Sequence, residues 1–361
     1  MCDSKQYIHK ERLVGLDFLK GIAILLTLCR HFFQTPNVFW NVGWTGVHLF
    51  FILSSFLIAT VLLNEYSKTG KINFSSFFIR RALKIYPIYY LFIFISVISK
   101  NNFASKNYRY ELFGQLFHVQ NYTGLLWFHT WSLAVEEQFY IVFSIILLIF
   151  IFFSCINNLN KFSWLFSIII VLAPILRYNS TLLYHTEWFP QTHYIMDSFA
   201  FGILLAMFKF TSPKLLKSVI MLKHYLLIPI IILLLPVFIL SPGNLFINTI
   251  GISMMYLAIT ILITYFLSIE NILREKNIFS KIIVTPIASI GIASYSIYIF
   301  HIPLKSIIDL LIPRKEFKIG IEFLGCILSG KLIWYLVEKP IFLYKSKKYS
   351  FKNQHSIIIK K

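Results

Sequence analysis

Residues 16–31 read Leu16-Asp17-Phe18-Leu19-Lys20-Gly21-Ile22-Ala23, then stay apolar to Cys29 and end on Arg30-His31. A run of this length is near the ~20 residues a helix needs to cross a bilayer. It nevertheless holds ionisable groups, which at bilayer depth are costly and face a protein interior or a wet cavity. Lys20 and His31 lie roughly 16 Å apart along a helix axis at ~1.5 Å per residue. One charge therefore sits toward one membrane face and one titratable imidazole well across it. That layout suits chemistry that crosses a membrane.

The rest of the chain is equally apolar. Of the 361 residues, 57% are hydrophobic and 14% charged, and the mean hydropathy is +0.71. Soluble domains carry about 25% charge, so the chain reads as an all-α polytopic membrane protein. Ten stretches approach spanning length: 14–34, 46–64, 85–99, 131–153, 162–176, 191–208, 224–241, 245–268, 283–308 and 319–337. The third and fifth are short. The fold expected is a bundle of about ten transmembrane helices.

The basic N-terminus (Lys5, Lys10, Arg12) is not read as a cleavable signal, because the apolar run is too long and lacks a small-residue cleavage site. Cys2, Cys29, Cys155 and Cys326 are scattered singly, with neither metal-ligand spacing nor a disulfide framework. The net charge of +19 follows the alternation of spans. With the N-terminus inside, 23 Lys and Arg fall in inner segments, seven of them after Glu338. Seven fall outside: Lys100, Lys106, Arg109, Arg177, Arg314, Lys315 and Lys318. Positive residues accumulate on the cytoplasmic side, so both termini are expected there. The partner expected for this basic excess is the anionic lipid bilayer, not nucleic acid. One membrane domain is expected over 1–345, then a basic cytoplasmic tail over 346–361. Ser241-Pro242-Gly243-Asn244 reads as a tight external turn.

Several constellations could carry chemistry. His31 is either a packed histidine or a general base, or it carries a group covalently for a moment. Trp131-Ser132-Leu133-Ala134-Val135-Glu136-Glu137-Gln138-Phe139-Tyr140 puts two carboxylates at the outer end of the fourth span. Neighbouring residues diverge by about 100° on a helix, so at most one can face a given partner. The plainer alternative is interfacial anchoring by Trp131 and Tyr140, with one glutamate solvated. Arg80-Arg81-Ala82-Leu83-Lys84 is either a topology signal or a phosphate-binding surface, since guanidinium forks match phosphate oxygens. Ser294 to Pro303 holds His301 at a depth like that of His31, and Asp197 is either a salt-bridged tie or part of a polar site. By topology His31, His48, Glu136, Asp197 and His301 share the outer half, which implies a polar cavity there. Lys20 and the basic cluster lie on the inner side, which implies an anion held inside.

These segments together resemble the integral-membrane acyltransferase family 3, whose members move acyl groups, often acetyl, onto cell-envelope carbohydrates. Lys20 to His31 resembles its Arg/Lys-x10-His motif, and Gly46 to Leu57 its Gly-Val-Asp-Leu-Phe-Phe-x-x-Ser-Gly-Phe-Leu stretch. Arg80 to Pro87, Trp131 to Tyr140, the His301 segment and Glu338-Lys339-Pro340 follow in order, so the likeness covers 12 to about 345. Four positions depart from it. His48 replaces an aspartate, Ser55 and Phe18 replace glycines, and Lys84 replaces an arginine, keeping charge but losing the bidentate fork.

The resemblance implies an O-acyltransferase of the bacterial cytoplasmic (inner) membrane. It would use acyl-coenzyme A, acetyl-CoA first of all, as donor substrate with no bound cofactor. The acceptor would be a hydroxyl of an envelope polysaccharide or lipopolysaccharide sugar. Arg80, Arg81 and Lys84 would hold the nucleotide phosphates, and the pantetheine arm would pass Lys20 toward His31. Glu136 would orient His31, while Trp131, Ser132, Asp197 and His301 would line the acceptor side. Two rivals remain on sequence alone. One is a secondary transporter or glycan flippase, which predicts paired half-repeats and spans broken by Gly or Pro. The other is a structural subunit with no need of the Lys20–His31 pair.

Overall fold

The structure is a computed structural model that describes residues 12–33, 38–99, 107–153, 159–185, 188–241, 243–275, 277–312 and 318–344. The tail 346–361, Lys5, Lys10 and Pro242 lie outside the described residues. The elements relevant here are helices α1 Val14–Phe32, α2 Thr45–Thr69, α3 Phe74–Ser99, α4 Trp131–Phe152, α5 Leu159–Tyr184 and α6 Thr192–Thr211. They continue with α7 Leu227–Ile239, α8 Ile252–Ser268, α9 Thr285–Ile292, α10 Ser294–Leu311 and α11 Lys318–Ile333. No strand occurs among the described residues.

Each of the ten apolar stretches falls on helix, but the spanning count differs from ten. Seven helices, built on α2, α3, α4, α5, α6, α8 and α11, are long and apolar enough to cross a membrane. The pair α9–α10, interrupted at Ala293, makes eight if it counts as one span. α1 falls short because Asp17, Lys20 and Arg30 lie within it. α7 falls short because it has only 13 residues. The third and fifth spans are not short, since α3 and α5 each run 26 residues. α3 begins at Phe74, where the Asn73 side chain accepts the Ser76 N–H at 2.9 Å and satisfies one of the donors a helix start leaves open. The helix then continues through Pro87.

The chain forms two compact units, one holding the segments up to Lys71 and from Arg109 to Ile292, the other Ile72–Tyr108 and everything from Ala293. In the first unit α2 is the most enclosed span, with 72% of its apolar window buried. That fits a helix hydrophobic on every side. Its close neighbour α6 approaches at Gly202, where an added Cβ would lie 2.0 Å from Ser55 Oγ and 2.5 Å from Ile52 O. Ser55 therefore fits where the resembling family has glycine, because the opposing helix supplies the space. At the turn after α7, Gly243 takes φ +100 and Asn244 N–H donates to Ser241 O at 3.2 Å.

In the second unit α3, α10 and α11 pack together. The Tyr295 hydroxyl donates to Ile85 O at 2.9 Å, and Ser296 donates to Glu338. Both ties involve residues of the motif segments.

Candidate functional site

The helix that carries His31 is held at both ends by side chains from elsewhere in the first unit. At its start the N–H groups of Val14 and Gly15 each donate to a Glu270 carboxylate oxygen at 2.8 Å. A helix N-terminus leaves such donors open and favours negative charge. At its end, Arg30 lies over the Trp40 ring at 3.6 Å and donates to Trp40 O at 3.2 Å. Between these anchors α2 comes in closely, since a Cβ on Gly46 would lie 2.2 Å from Ala23 O. His31, half-buried, thus sits on the last turn of a helix whose axis and end are fixed. Glu270 and Trp40 gave no local signal; a capping partner 256 residues away has no short-range signature.

Lys20 donates to Asp17 at 3.0 Å, and Arg12 approaches the other Asp17 oxygen at 3.3 Å. Asp17 is buried, and the two cations neutralise it. Part of the charge on Lys20 is therefore committed to its own helix.

Glu136 is held from two sides. The Ser54 hydroxyl of α2 donates to Oε1 at 2.9 Å, and Tyr140, one turn on, donates to Oε2 at 3.0 Å. Hydrogen bonds to a charged acceptor are about twice as strong as neutral ones. Both carboxylate oxygens are thus oriented by hydroxyls from two motif segments. Neither glutamate of the pair is fully exposed, since Glu136 is half-buried and Glu137 buried. Next along α4, Gln138 donates to His118 O and to Asn121 Oδ1, both at 2.8 Å, and accepts from Thr192. It pins the 107–130 segment to α4 and α6. Among the groups outside the helices, His118 is buried with φ +56, and burial lowers its imidazole pKa from 6.5 to about 4.

Other expected site residues fall elsewhere. Asp197 is fully buried and forms a bidentate pair with Arg177 at 2.9 and 3.0 Å. Ser253 donates to Asp197 at 2.6 Å, and Arg177 reaches Thr249 O at 3.0 Å. Thr249 lies in a π-helical turn, Ile247–Gly251. Asp197 ties α6 to α5 and α8, and Arg177 lies inside α5 rather than in an external loop. His48 accepts or donates one hydrogen bond with the Tyr256 hydroxyl at 2.8 Å and is enclosed by Trp44 and Phe51. His48 and Asp197 are both buried in the core of this unit. Trp131 is 8% exposed, wedged edge-on between Phe51 and Trp188. Ser132 is buried as well. The accessible aromatic pair at this end is Phe128 on Trp188, stacked at 4.8 Å.

In the second unit Arg80 donates to Ser76 at 2.5 Å, while Arg81 lies 6.0 Å over Phe77. Arg80 and the exposed Lys84 are four residues apart and share a face; Arg81 points about 100° away. His301 is fully buried, its Nδ1–H donating to Tyr298 O at 2.5 Å. No group of three His, Cys, Asp or Glu among the described residues could hold a metal ion.

Comparison with known proteins gives one family and several relatives. The model of the acyltransferase domain (acyltransferase 3) matches residues 13–337. A Staphylococcus aureus protein provisionally named an O-acetyltransferase is 27% identical over 93% of this chain and 58% of its own length. The peptidoglycan O-acetyltransferase OatA of Listeria monocytogenes is 26% identical over 92% of this chain and 56% of its own. A Bacillus subtilis protein provisionally named a peptidoglycan O-acetyltransferase is 26% identical, with 92% and 55% covered. The chain thus spans little more than half the length of these relatives. No solved structure gives a significant match.

Proposed function

The chain belongs to the acyltransferase 3 family, and on that premise we propose that it is a multi-pass membrane O-acyltransferase, acetyl being the group moved. The donor is acyl-coenzyme A on the cytoplasmic side, and the acceptor is a sugar hydroxyl of an envelope glycan. Relatives bear peptidoglycan in their names, which makes a peptidoglycan sugar the first acceptor to try and a polysaccharide or lipopolysaccharide sugar the next. The observation that carries this reading is Glu136, a half-buried carboxylate with both oxygens fixed by Ser54 and Tyr140.

The roles are assigned from the chemistry of each side chain. Arg80, Arg81 and Lys84 hold the donor's phosphates, and its pantetheine arm passes Lys20 toward His31. His31 takes the proton of the sugar hydroxyl as its oxygen attacks the thioester carbonyl carbon. The carbon–sulfur bond then breaks, the sugar ester forms, and coenzyme A leaves as thiolate to be protonated. His31 can alternatively take the acyl group itself and pass it on; in either course Glu136 stabilises the imidazolium. General base catalysis contributes about 10²–10⁴-fold. The His31→Ala protein should therefore reach the membrane in normal amount and lose acyl transfer by at least about a hundredfold. The check is coenzyme A release in membranes supplied with acetyl-CoA and envelope glycan. Full activity in that variant would overturn the assignment.

A further inference from the structure

The first unit has two adjoining cavities that share one wall. The first is a cleft of about 360 Å³ at the end of the bundle where α5 stops and α6 begins. It is lined by Tyr122, Tyr184, Trp188 and Tyr194, with Ser180 and Gln191 as polar groups. The second is a groove of about 390 Å³ between α4, α5 and α6, lined by apolar residues including Phe139, Phe143, Phe166 and Ile203. Tyr122 and His193 line both. Their rings stack at 6.0 Å, and the Tyr122 hydroxyl meets His193 Nδ1 at 3.1 Å. That pair forms a sill between a polar aromatic chamber and an apolar channel.

Three features define the occupant. The groove follows α6 from Thr192 to Ile203, roughly 16 Å at ~1.5 Å per residue. That is about half of the ~30 Å hydrocarbon core, so the groove is one leaflet deep. It opens sideways past Val142, which is 53% exposed, on helices that face lipid. It therefore suits a hydrocarbon chain entering from the membrane, not a ligand arriving from water. The cleft, by contrast, has no Lys, Arg, Asp or Glu among its described lining residues. A phosphate headgroup would call for cations there. A saccharide calls for what is present: ring faces for its C–H surfaces and a few neutral donors and acceptors for its hydroxyls. Trp188 also touches Trp131 at 6.0 Å, which places the cleft against the start of α4, the helix that bears Glu136.

We infer that these two cavities form one site for a lipid-linked saccharide, with the sugar in the Tyr184–Trp188–Tyr194 cleft and the hydrocarbon chain in the α4–α5–α6 groove. The acceptor would then be modified while it is still carried on a membrane-anchored lipid, before it joins any polymer. The inference rests on the acyl-transfer reading for its purpose, but its test does not.

The full chain in lipid nanodiscs is probed with hexadecyl and methyl glycosides of N-acetylglucosamine, which share a head and differ in chain. Native mass spectrometry reads binding without any transfer. The hexadecyl glycoside should bind at least tenfold more tightly than the methyl glycoside. Val142→Trp, which fills the lip of the groove, should remove that advantage, and Trp188→Ala should weaken both glycosides. Ile146→Trp repeats the groove test at a second position should Val142→Trp fail to fold. Equal binding of the two glycosides, binding of neither, or displacement of the hexadecyl glycoside by equimolar phosphatidylglycerol would overturn the inference. Chain-dependent binding in a protein that never consumes acetyl-CoA would leave this site standing and remove the enzymatic reading instead.

Discussion

Glu136 and Glu137 stand side by side in sequence, and only the fold separates their tasks. The Trp-Ser-Leu-x-Val-Glu-Glu string marked the pair as unusual, but the residue that orients Glu136 was not legible. Ser54 and Ser55 are neighbours of one type, and about 100° of helix rotation sends Ser54 to α4 and Ser55 to Gly202 of α6. A hydrogen bond to a charged group is worth about 1.5–3 kcal/mol. Ser54→Ala and Tyr140→Phe should therefore each slow acetyl transfer by about tenfold or more. Glu136→Gln removes the charge itself and should cost at least about a hundredfold. Initial rates at saturating acetyl-CoA rank the three, and a Glu136→Gln rate near wild type would remove the residue from the reaction. His118 makes a separate prediction, for stability. It is neutral in the fold, with its pKa lowered to about 4 by burial. The unfolded chain takes up that proton near pH 6.5. Stability is thus complete above about 6.5 and declines as pH falls toward 4, where the unfolded state binds more protons. His118→Asn, which tolerates positive φ, should flatten the fall in melting temperature between pH 7 and 4.5 measured in detergent.

The helices show the opposite balance between what sequence reveals and what it hides. Their existence was plain, because apolar runs near 20 residues declare themselves. Their ends and ties were not. The fifth apolar run stops at Leu176, which made Arg177 look like the first residue of an outer loop. In the structure α5 continues to Tyr184 and folds that guanidinium inward onto Asp197, twenty positions on. A charge that ends a hydrophobic run and a charge that ties two helices look alike until the partner is found. Removing one member of a buried ion pair leaves the other unpaired and costs about 3–5 kcal/mol. Asp197→Ala should therefore lower the yield of folded protein and its melting temperature. An apolar pair of similar size is often neutral, so Arg177→Met with Asp197→Leu should recover most of both. Fluorescence-detected gel filtration against temperature makes the measurement. If Asp197→Ala instead stays fully stable and loses only activity, Asp197 belongs to the substrate site.

At the scale of the whole molecule, topology turns on α1, α7 and the bent pair α9–α10. α1 carries three charged residues, but Lys20 and Asp17 pair at 3.0 Å. The pairing lowers the cost of burying both, so α1 can span. α7 has 13 residues, roughly 20 Å at ~1.5 Å per residue, against a core of ~30 Å. It spans only if the residues that flank it extend its path or the bilayer thins around it. If α7 crosses and α9–α10 counts as one span, the spans number ten and both termini share one side, the cytoplasm by the distribution of Lys and Arg. If it only dips into the membrane, the count is odd and the C-terminus emerges opposite the N-terminus. The charge distribution favours the first case, because seven Lys and Arg follow Glu338 and translocating them would oppose that bias. In a cysteine-free background, Ser241→Cys in the exposed turn after α7 should react with an impermeant maleimide on intact cells. Ser67→Cys at the exposed end of α2, and a cysteine appended after Lys361, should react only after permeabilisation. Labelling of the appended cysteine on intact cells would place the tail outside and require α7 or the bent pair α9–α10 to turn back within the membrane.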